Sequence, residues 1–382
     1  MVADEEGFLY PSIGEDLCVD CGKCVKVCAF RNLRFPESAG PYFAASAKDV
    51  DLSKSASGGL FASLAAKVIE KGGGICGCSY GRENGVLVAR HELVGAAEDL
   101  NRLLGSKYVQ SFVGDSYRRV KNLLASGKRV LFCGTPCQVA GLRAYLGHEE
   151  ENLLLVDLVC HGVPSQKMFT AFQEFQTISN DCEVIDIVFR DKKEGWSRSL
   201  LLFQLLRSRS TGEDFSFRTF ASDCSYYDLF LKFETFRPSC YSCPYANCDR
   251  PGDLTIGDFW GIESRRPDLL EPEDSPFSLK DGVSCLLVNN EHGREMLDRL
   301  DCNIAMSEVE LADITDGNSQ LRMPCVKGRR RDEYLALLAE EGYAAVELRW
   351  EKCHKREVAA ARLKQFIPPG AKQLINRIFR RS

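Results

Sequence analysis

The chain has no run of about 18 apolar residues, which excludes an ordinary membrane-spanning helix. Residues 1–11 (MVADEEGFLYP) are acidic and lack an apolar stretch, so secretion is not expected and the cytoplasm is the expected compartment. No Walker loop occurs, and no GxGxxG run opens a helix after a strand, so any pyrophosphate must be held by something less stereotyped. No catalytic triad stands out. Nothing is basic and interleaved with aromatics in the way nucleic-acid binding requires, so no nucleic-acid partner is expected.

Cysteine is abundant: 18 in 382 residues, in a chain too long to be a disulfide-stapled secreted scaffold. With an apolar fraction of 45%, the length allows two or three domains with real cores. Cys18, Cys21, Cys24 and Cys28 (CVDCGKCVKVC) have the CxxCxxCxxxC spacing that brings several thiolates into one tight loop, as a 4Fe-4S cube requires. A zinc knuckle or incidental cysteines are the plain alternatives, but zinc ligands usually come as two separated pairs. Electron transfer is therefore the first expectation.

Charge is distributed unevenly. The net −5 combines a tail, residues 349–382, with ten Lys/Arg against two Glu and a body of net −13. In the tail, Leu374, Ile375, Ile378 and Phe379 fall at helical spacing beside Lys372, Arg377, Arg380 and Arg381. Such a segment is either a solvated terminal helix or one that makes peripheral contact with an anionic membrane or a partner.

After the cysteine module, which ends near Phe35 and Pro36, residues 37–55 are small and polar and read as a linker or covering loop. Helices are predicted over 60–71, stopped by Gly72 to Gly74, and over 116–126. Two strand-turn-helix units follow: Arg129–Cys133 through GTP into Cys137–Leu146, and Leu153–Cys160 through HGVPS into Gln166–Phe175. A parallel or mixed α/β sheet results, with ligands expected at the carboxyl ends of its strands. Cys133, Cys137 and Cys160 would sit at that edge. Each alone reads as a core cysteine, but the downstream CxxC of Cys240 and Cys243, with Cys248 beyond it, needs two further ligands, for which Cys137 and Cys160 are the leading candidates.

The segments SASGGLFASL (55–64), GSKYVQS (105–111), FCGTPCQVAGL (132–142), LVCHGVPS (158–165), FRDKKEGWS (189–197) and DLTIGDFWG (253–261) resemble, in order, the coenzyme F420 hydrogenase/dehydrogenase beta-subunit family. The resemblance runs from about residue 7 to residue 350. It implies an α/β fold in which a mixed or parallel sheet forms a flavin domain, with a small N-terminal ferredoxin-like iron–sulfur module. The implied divisions are 1–38 for that module, read as half of a two-cluster one, 39–348 for the FAD and 4Fe-4S catalytic domain, and 349–382 for the basic tail.

Carried over by position, the resemblance makes Cys137, Cys160, Cys240 and Cys243 the ligands of a core cluster, with Cys133 and Cys248 outside the pattern. Ser57, Gly58 and Gly59 are the first choice for the flavin pyrophosphate, since two glycines before a helix let backbone N–H groups approach an anion; a plain helix start is the alternative. Lys107, Tyr108, Thr135, Pro136, His161 and Gly162 are added as cofactor-pocket residues. Arg190 and Lys192, with Asp258, Phe259 and Trp260, either complete a pocket in which basic groups meet anionic substituents or are strand ends with buried aromatics.

The family's N-terminal module normally carries two cysteine runs, and this sequence shows only the second; Ala29 also replaces the Pro that follows the fourth cysteine. Either Cys28 closes a single rearranged cluster, or the module is empty, or the chain begins at a misassigned start. The expected activity is an oxidoreductase moving electrons between a hydride carrier (coenzyme F420 or another substrate), FAD, one or two 4Fe-4S clusters and a redox partner protein or subunit. A non-catalytic iron–sulfur electron-transfer subunit and a zinc-stabilised interaction protein are the other classes.

Overall fold

The computed structural model describes residues 1–36, 40–196, 200–271 and 273–365, and side-chain surroundings through 355. The expectations for the terminal amphipathic segment, Lys372 to Arg381, and for Ser197 lie outside the described residues.

The chain opens with a small hairpin, β1 (Val2–Ala3) and β2 (Leu9–Tyr10), then a short helix α1 (Lys23–Lys26) inside the cysteine loop. Strand β3 (Tyr42–Ala47), helix α2 (Leu60–Glu70) and the long hairpin β4 (Gly74–Glu83) and β5 (Val86–Val94) follow. Next come α3 (Ser116–Ala125), β6 (Val130–Gly134), α4 (Pro136–Leu146), β7 (Leu153–Leu158) and α5 (Gln166–Asn180). A meander of β8 (Cys182–Asp191), β9 (Leu201–Ser208) and β10 (Asp214–Phe220) leads to α6 (Ser225–Leu231), β11 (Leu254–Asp258) and α7 (Ile262–Arg265). The chain continues through β12 (Ser284–Val288), α8 (Glu291–Leu300), β13 (Ile304–Val309), α9 (Leu311–Thr315), α10 (Arg331–Glu340) and α11 (Tyr343–Gln365).

The main sheet has eight strands in the order β13-β3-β12-β11-β7-β6-β4-β5. Strands β11, β7, β6 and β4 run parallel at its centre, and antiparallel strands flank them, so the sheet is mixed. The sequence explains the centre. β6 (VLFCG) is buried throughout and β7 (LLLVDL) nearly so, the unbroken apolar pattern of strands covered on both faces. Leu131, Cys133, Leu154 and Val156 pack toward α2 and α8, while Val130, Phe132, Leu153 and Leu155 pack toward α3 and α4. A second, aromatic-rich core lies under the meander, joining Phe169 and Phe172 of α5 to Phe189, Tyr226, Tyr227, Tyr343 and Trp350.

Two expectations change. Residues 37–55 are not simply a linker, because Tyr42–Ala47 is an inner strand of the main sheet, paired with β12 and β13. Its small residues read as loop composition, but they are small because the turn before α2 lies against them, with Ala47 N donating to Gly58 O at 2.7 Å. The boundary at residue 349 falls within α11, which buries Val346, Trp350 and Cys353 against the body. The N-terminal segment is likewise stitched in: Phe8 is fully buried and Arg237 donates to Leu9 O at 3.1 Å. Among the described residues, no helix is long and apolar enough to cross a membrane.

Gly58 is the tightest point of this packing, since a Cβ there would sit 2.6 Å from Ala45 O and 2.9 Å from Ser284 N, both backbone atoms that cannot give way. Gly58→Ala is expected to lower stability by about 3 kcal/mol, read as a shifted denaturant midpoint; a neutral effect would contradict this placement.

Candidate functional site

At the carboxyl ends of the central strands a cavity of about 1060 Å³ opens. Its walls come from the start of α2, the segment 103–114, the turn from β6 into α4, the turn after β7, Arg190, Phe230 to Phe233, the segment Arg237 to Cys243, and the end of β11.

Cys137, Cys160, Cys240 and Cys243 all line this cavity. They arrive from three separate loops. Cys137 is the second residue of α4, a helix started by a capping box in which Thr135 and Gln138 satisfy each other's backbone N–H groups, with Pro136 at the first position. Cys160 lies two residues beyond β7, not in the strand as expected from its apolar run. Cys240 and Cys243 lie on and just after the helical turn Pro238–Ser242. Burial pushes the Cys160 thiol well above its ordinary value, and Cys240, Cys137 and Cys243 add to that rise. Burial likewise lifts Cys240 up to about 12, with Cys137 and Cys243 contributing, and raises Cys243. At Cys160, Cys240 and Cys243 burial, reinforced by the neighbouring thiols, thus disfavours the free thiolate. Among the described residues, no group of three or more His, Cys, Asp or Glu side chains is placed to hold a single metal ion.

The loops are held by a buried ion pair that sequence reading passed over. Arg250 and Asp157 are both essentially inaccessible, with Nη2 donating to Oδ1 at 2.6 Å and Nε at 3.1 Å. The same guanidinium donates to Leu158 O at 2.9 Å, just ahead of Cys160, and to Tyr245 O at 2.8 Å, just beyond Cys243. Thr255 Oγ1 and Gly252 N complete the Asp157 shell at 2.9 and 2.8 Å. The charge in the middle of β7 (LLLVDL) and the DRPGD sequence after Cys248 were the available signals, since a carboxylate in a buried strand needs a partner.

The other expected residues divide. Ser57, Gly59, Lys107, Tyr108, Thr135, His161, Gly162, Arg190, Asp258 and Trp260 line the cavity; Gly58 and Pro136 do not. Gly58 N is taken by Ser284 Oγ at 2.9 Å. Gly59, with φ +78°, begins α2 without any side-chain cap, so the first N–H groups of that helix, from residues that line the cavity, have no side-chain partner. Lys107 donates to Leu104 O at 2.5 Å, and burial lowers its ammonium pKa. Tyr108 stacks on Phe230 with ring centroids 4.1 Å apart. Burial also lowers the His161 pKa.

Arg190 and Lys192 are both engaged within the protein. Arg190 makes two bonds of 3.0 Å to Asp258, whose Oδ1 also accepts from Trp196 Nε1 at 2.6 Å. Its guanidinium lies 4.7 Å from the Trp260 ring centroid, and Trp260 stacks on Trp196 at 4.8 Å. Lys192 donates to the carbonyls of Leu52, Ser57 and Asp281, and burial pushes its ammonium down to about 8. Phe259 is a core residue. A different cation at the wall is Arg237, beside the CxxC pair, whose Nε is buried with no hydrogen-bond partner.

Cys248 stands apart: it donates to Leu321 O at 3.1 Å and packs in another core region. Cys133 is buried in the sheet core and also reaches the cavity wall. Cys18, Cys21 and Cys24 are exposed, and Cys28 is half-buried.

The result is a mixed α/β protein with a thiol-walled cavity at the ligand edge of its sheet. Over residues 127–317 the chain matches the family model that describes the C-terminal part of the Coenzyme F420 hydrogenase/dehydrogenase beta subunit, and it belongs to that family. Its role is accordingly of oxidoreductase type. Among solved structures, one similar chain is from the xenon-derivatised F420-reducing [NiFe] hydrogenase complex of Methanosarcina barkeri, at 17% identity and TM-score 0.45, covering 75% of this chain and 87% of that one. No curated protein matches the sequence.

Two expectations test the site's framework. Arg250→Met leaves Asp157 as an uncompensated buried charge and should cost about 3 to 5 kcal/mol in denaturant unfolding, with partial recovery when combined with Asp157→Leu; a wild-type midpoint in the single variant would contradict the clamp. His91 sits in the cavity wall between Ser111 Oγ at 3.1 Å and Cys133 O at 3.3 Å, and burial pushes its pKa from 6.5 down to about 4. The unfolded chain therefore binds the proton first as pH falls, so stability drops between pH 6.5 and about 4. That contribution, on the order of 3 kcal/mol, should vanish in His91→Gln, as compared by urea midpoints at pH 7 and pH 4.

Proposed function

We propose that this chain is an iron–sulfur flavoprotein that passes electrons between a hydride carrier of the coenzyme F420 class and a one-electron redox partner. The observation that carries the proposal is the meeting of Cys137, Cys160, Cys240 and Cys243, from three loops, on one wall of a cavity large enough for a dinucleotide. A four-iron cube takes one thiolate at each corner, and Cys137, Cys160, Cys240 and Cys243 supply four thiols at this cavity.

The uncapped start of α2 fits the flavin pyrophosphate, because its N–H groups and the positive end of the helix dipole favour an anion. Arg237, with its unpartnered Nε, supplies a second point of positive charge. Tyr108 and Trp260 give the cavity aromatic walls, and the Arg190–Asp258 pair keeps Trp260 in place. FAD, when bound, exchanges two electrons with a hydride carrier and one at a time with an iron–sulfur cluster. The protein's part is to orient the two groups, exclude water with apolar walls and hold the thiols ready. The internal engagement of Arg190 and Lys192 favours one second reading, an electron-transfer subunit whose cavity binds FAD but takes no F420.

Anaerobic reconstitution of the full chain tests the proposal. Cys160→Ser should remove about four iron per chain together with the broad visible absorbance of the cluster, whereas Cys248→Ser should leave both. Zinc in place of iron, or equal loss in both variants, would overturn the assignment. Reduction of added F420 separates the enzyme from the subunit reading.

A further inference from the structure

The amino edge of the sheet, opposite the thiol-walled cavity, carries a second pocket, of about 560 Å³. It is built where three neighbouring parallel strands begin. Lys71 and Gly72 precede β4, Lys128 and Arg129 directly precede β6, and Asn152 directly precedes β7, while Arg299, near the end of α8, completes the lining. Strand pairing locks these loops together, with Gly74 N donating to Arg129 O at 2.9 Å and Val130 N to Asn152 O at 2.8 Å. Four cations therefore meet on a fixed frame, with no carboxylate among the lining residues, in a body of net −13.

Folding accounts for part of this charge. Helices α2, α3 and α8 all end at this edge, and cations suit the carbonyl ends of helices. Lys71 donates to Arg299 O at 2.6 Å, and Arg299 pairs with Glu295 at 2.9 Å. Lys128 and Arg129 are left over: neither side chain has a hydrogen-bond or ion-pair partner among the described residues. Arg129 is half-buried, and its Nε is shut off from solvent with nothing to donate to. A buried donor without an acceptor is costly and calls for a group from outside the chain. A water would satisfy Nε but would leave four like charges uncompensated.

We propose that this pocket is a second ligand site, for a multiply charged phosphate anion of a soluble small molecule, gripped by the Arg129 guanidinium and neutralised by Lys128, Lys71 and Arg299. An arginine fork matches two phosphate oxygens at once, the lysines add charge without fixed direction, and the exposed Asn152 amide offers a neutral donor. At about 30 Å³ per water, the space is far larger than a five-atom ion needs, so a diphosphate or a phosphate ester with a further group fits better than the free ion. The site stands independently of the flavin and iron–sulfur reading, since none of its residues lines the main cavity.

Acetylation of the full-length chain by an N-hydroxysuccinimide ester, read peptide by peptide by mass spectrometry, tests this site alone, because an anion taken up in the main cavity does not shield Lys128. In millimolar pyrophosphate Lys128 should react several-fold more slowly, while sodium chloride of equal ionic strength should leave its rate unchanged. Arg129→Gln should abolish that protection and Arg129→Lys should keep part of it. Arg299→Gln, at an exposed position that leaves the fold intact, should weaken it. Absence of protection in the wild-type chain, equal protection by chloride, or full protection in Arg129→Gln overturns the site. Vesicles containing phosphatidic acid that shield Lys128 where pyrophosphate does not would assign the surface to a lipid headgroup and overturn the soluble ligand.

Discussion

The Arg250–Asp157 pair is the interaction on which the site depends. Two opposite charges with almost no access to solvent are tolerable only when every donor and acceptor is matched, and here the matching partners are the ends of functional loops. One guanidinium reaches the carbonyl two residues before Cys160 and the carbonyl two residues after Cys243, with Asp157 anchored in the central strand β7. The distance between two sulfur-bearing loops is thereby tied to the most rigid element of the sheet. An apolar pair of similar volume would fill the space but would give no such directional control, and the positions of four thiols within a cavity are a matter of direction.

The rest of the cavity follows from the sheet. Parallel strands with helices on both faces leave loops and helix starts at their carboxyl ends, and α2 and α4 both begin there. They begin differently. The α4 start is closed by its own Thr135 and Gln138, which fixes Cys137 firmly, while the α2 start is left open by Gly59. The same edge thus offers a rigid thiol at one point and free N–H donors at another. Arg190, Asp258, Trp196 and Trp260 form a third, self-contained unit whose charges cancel internally, so it shapes the wall without adding a net charge.

Much of this was legible from residue pattern. The apolar runs of β6 and β7 and the GTP turn into α4 were enough to place Cys137 and Cys160 at one sheet edge, and the CxxC spacing made them candidate partners of Cys240 and Cys243. The segment 37–55 was misread because composition cannot show that small residues are small for packing: Ala45 and Ala47 are buried under the turn that carries Gly58 and Gly59. The Arg250 clamp was missed because its partners are 93 and 5 residues away along the chain, and only the fold reveals that Asp157 and Tyr245 O share one guanidinium. Arg190 and Lys192 looked available for ligands because sequence shows charge but not its partner. The family resemblance put Gly58 beside Gly59 as pyrophosphate candidates, but it could not say that Gly58 N bonds to Ser284 while the α2 start faces the cavity.

The central claim is that three loops bring four cysteine sulfurs around one iron–sulfur group at the carboxyl edge of the sheet. Anomalous diffraction at the iron edge, from crystals of the full chain grown anaerobically after reconstitution, tests it most directly. The account predicts a compact iron peak bounded by the Sγ atoms of Cys137, Cys160, Cys240 and Cys243. An iron-free cavity with those sulfurs turned apart, or iron held by a set that omits two or more of them, would contradict it.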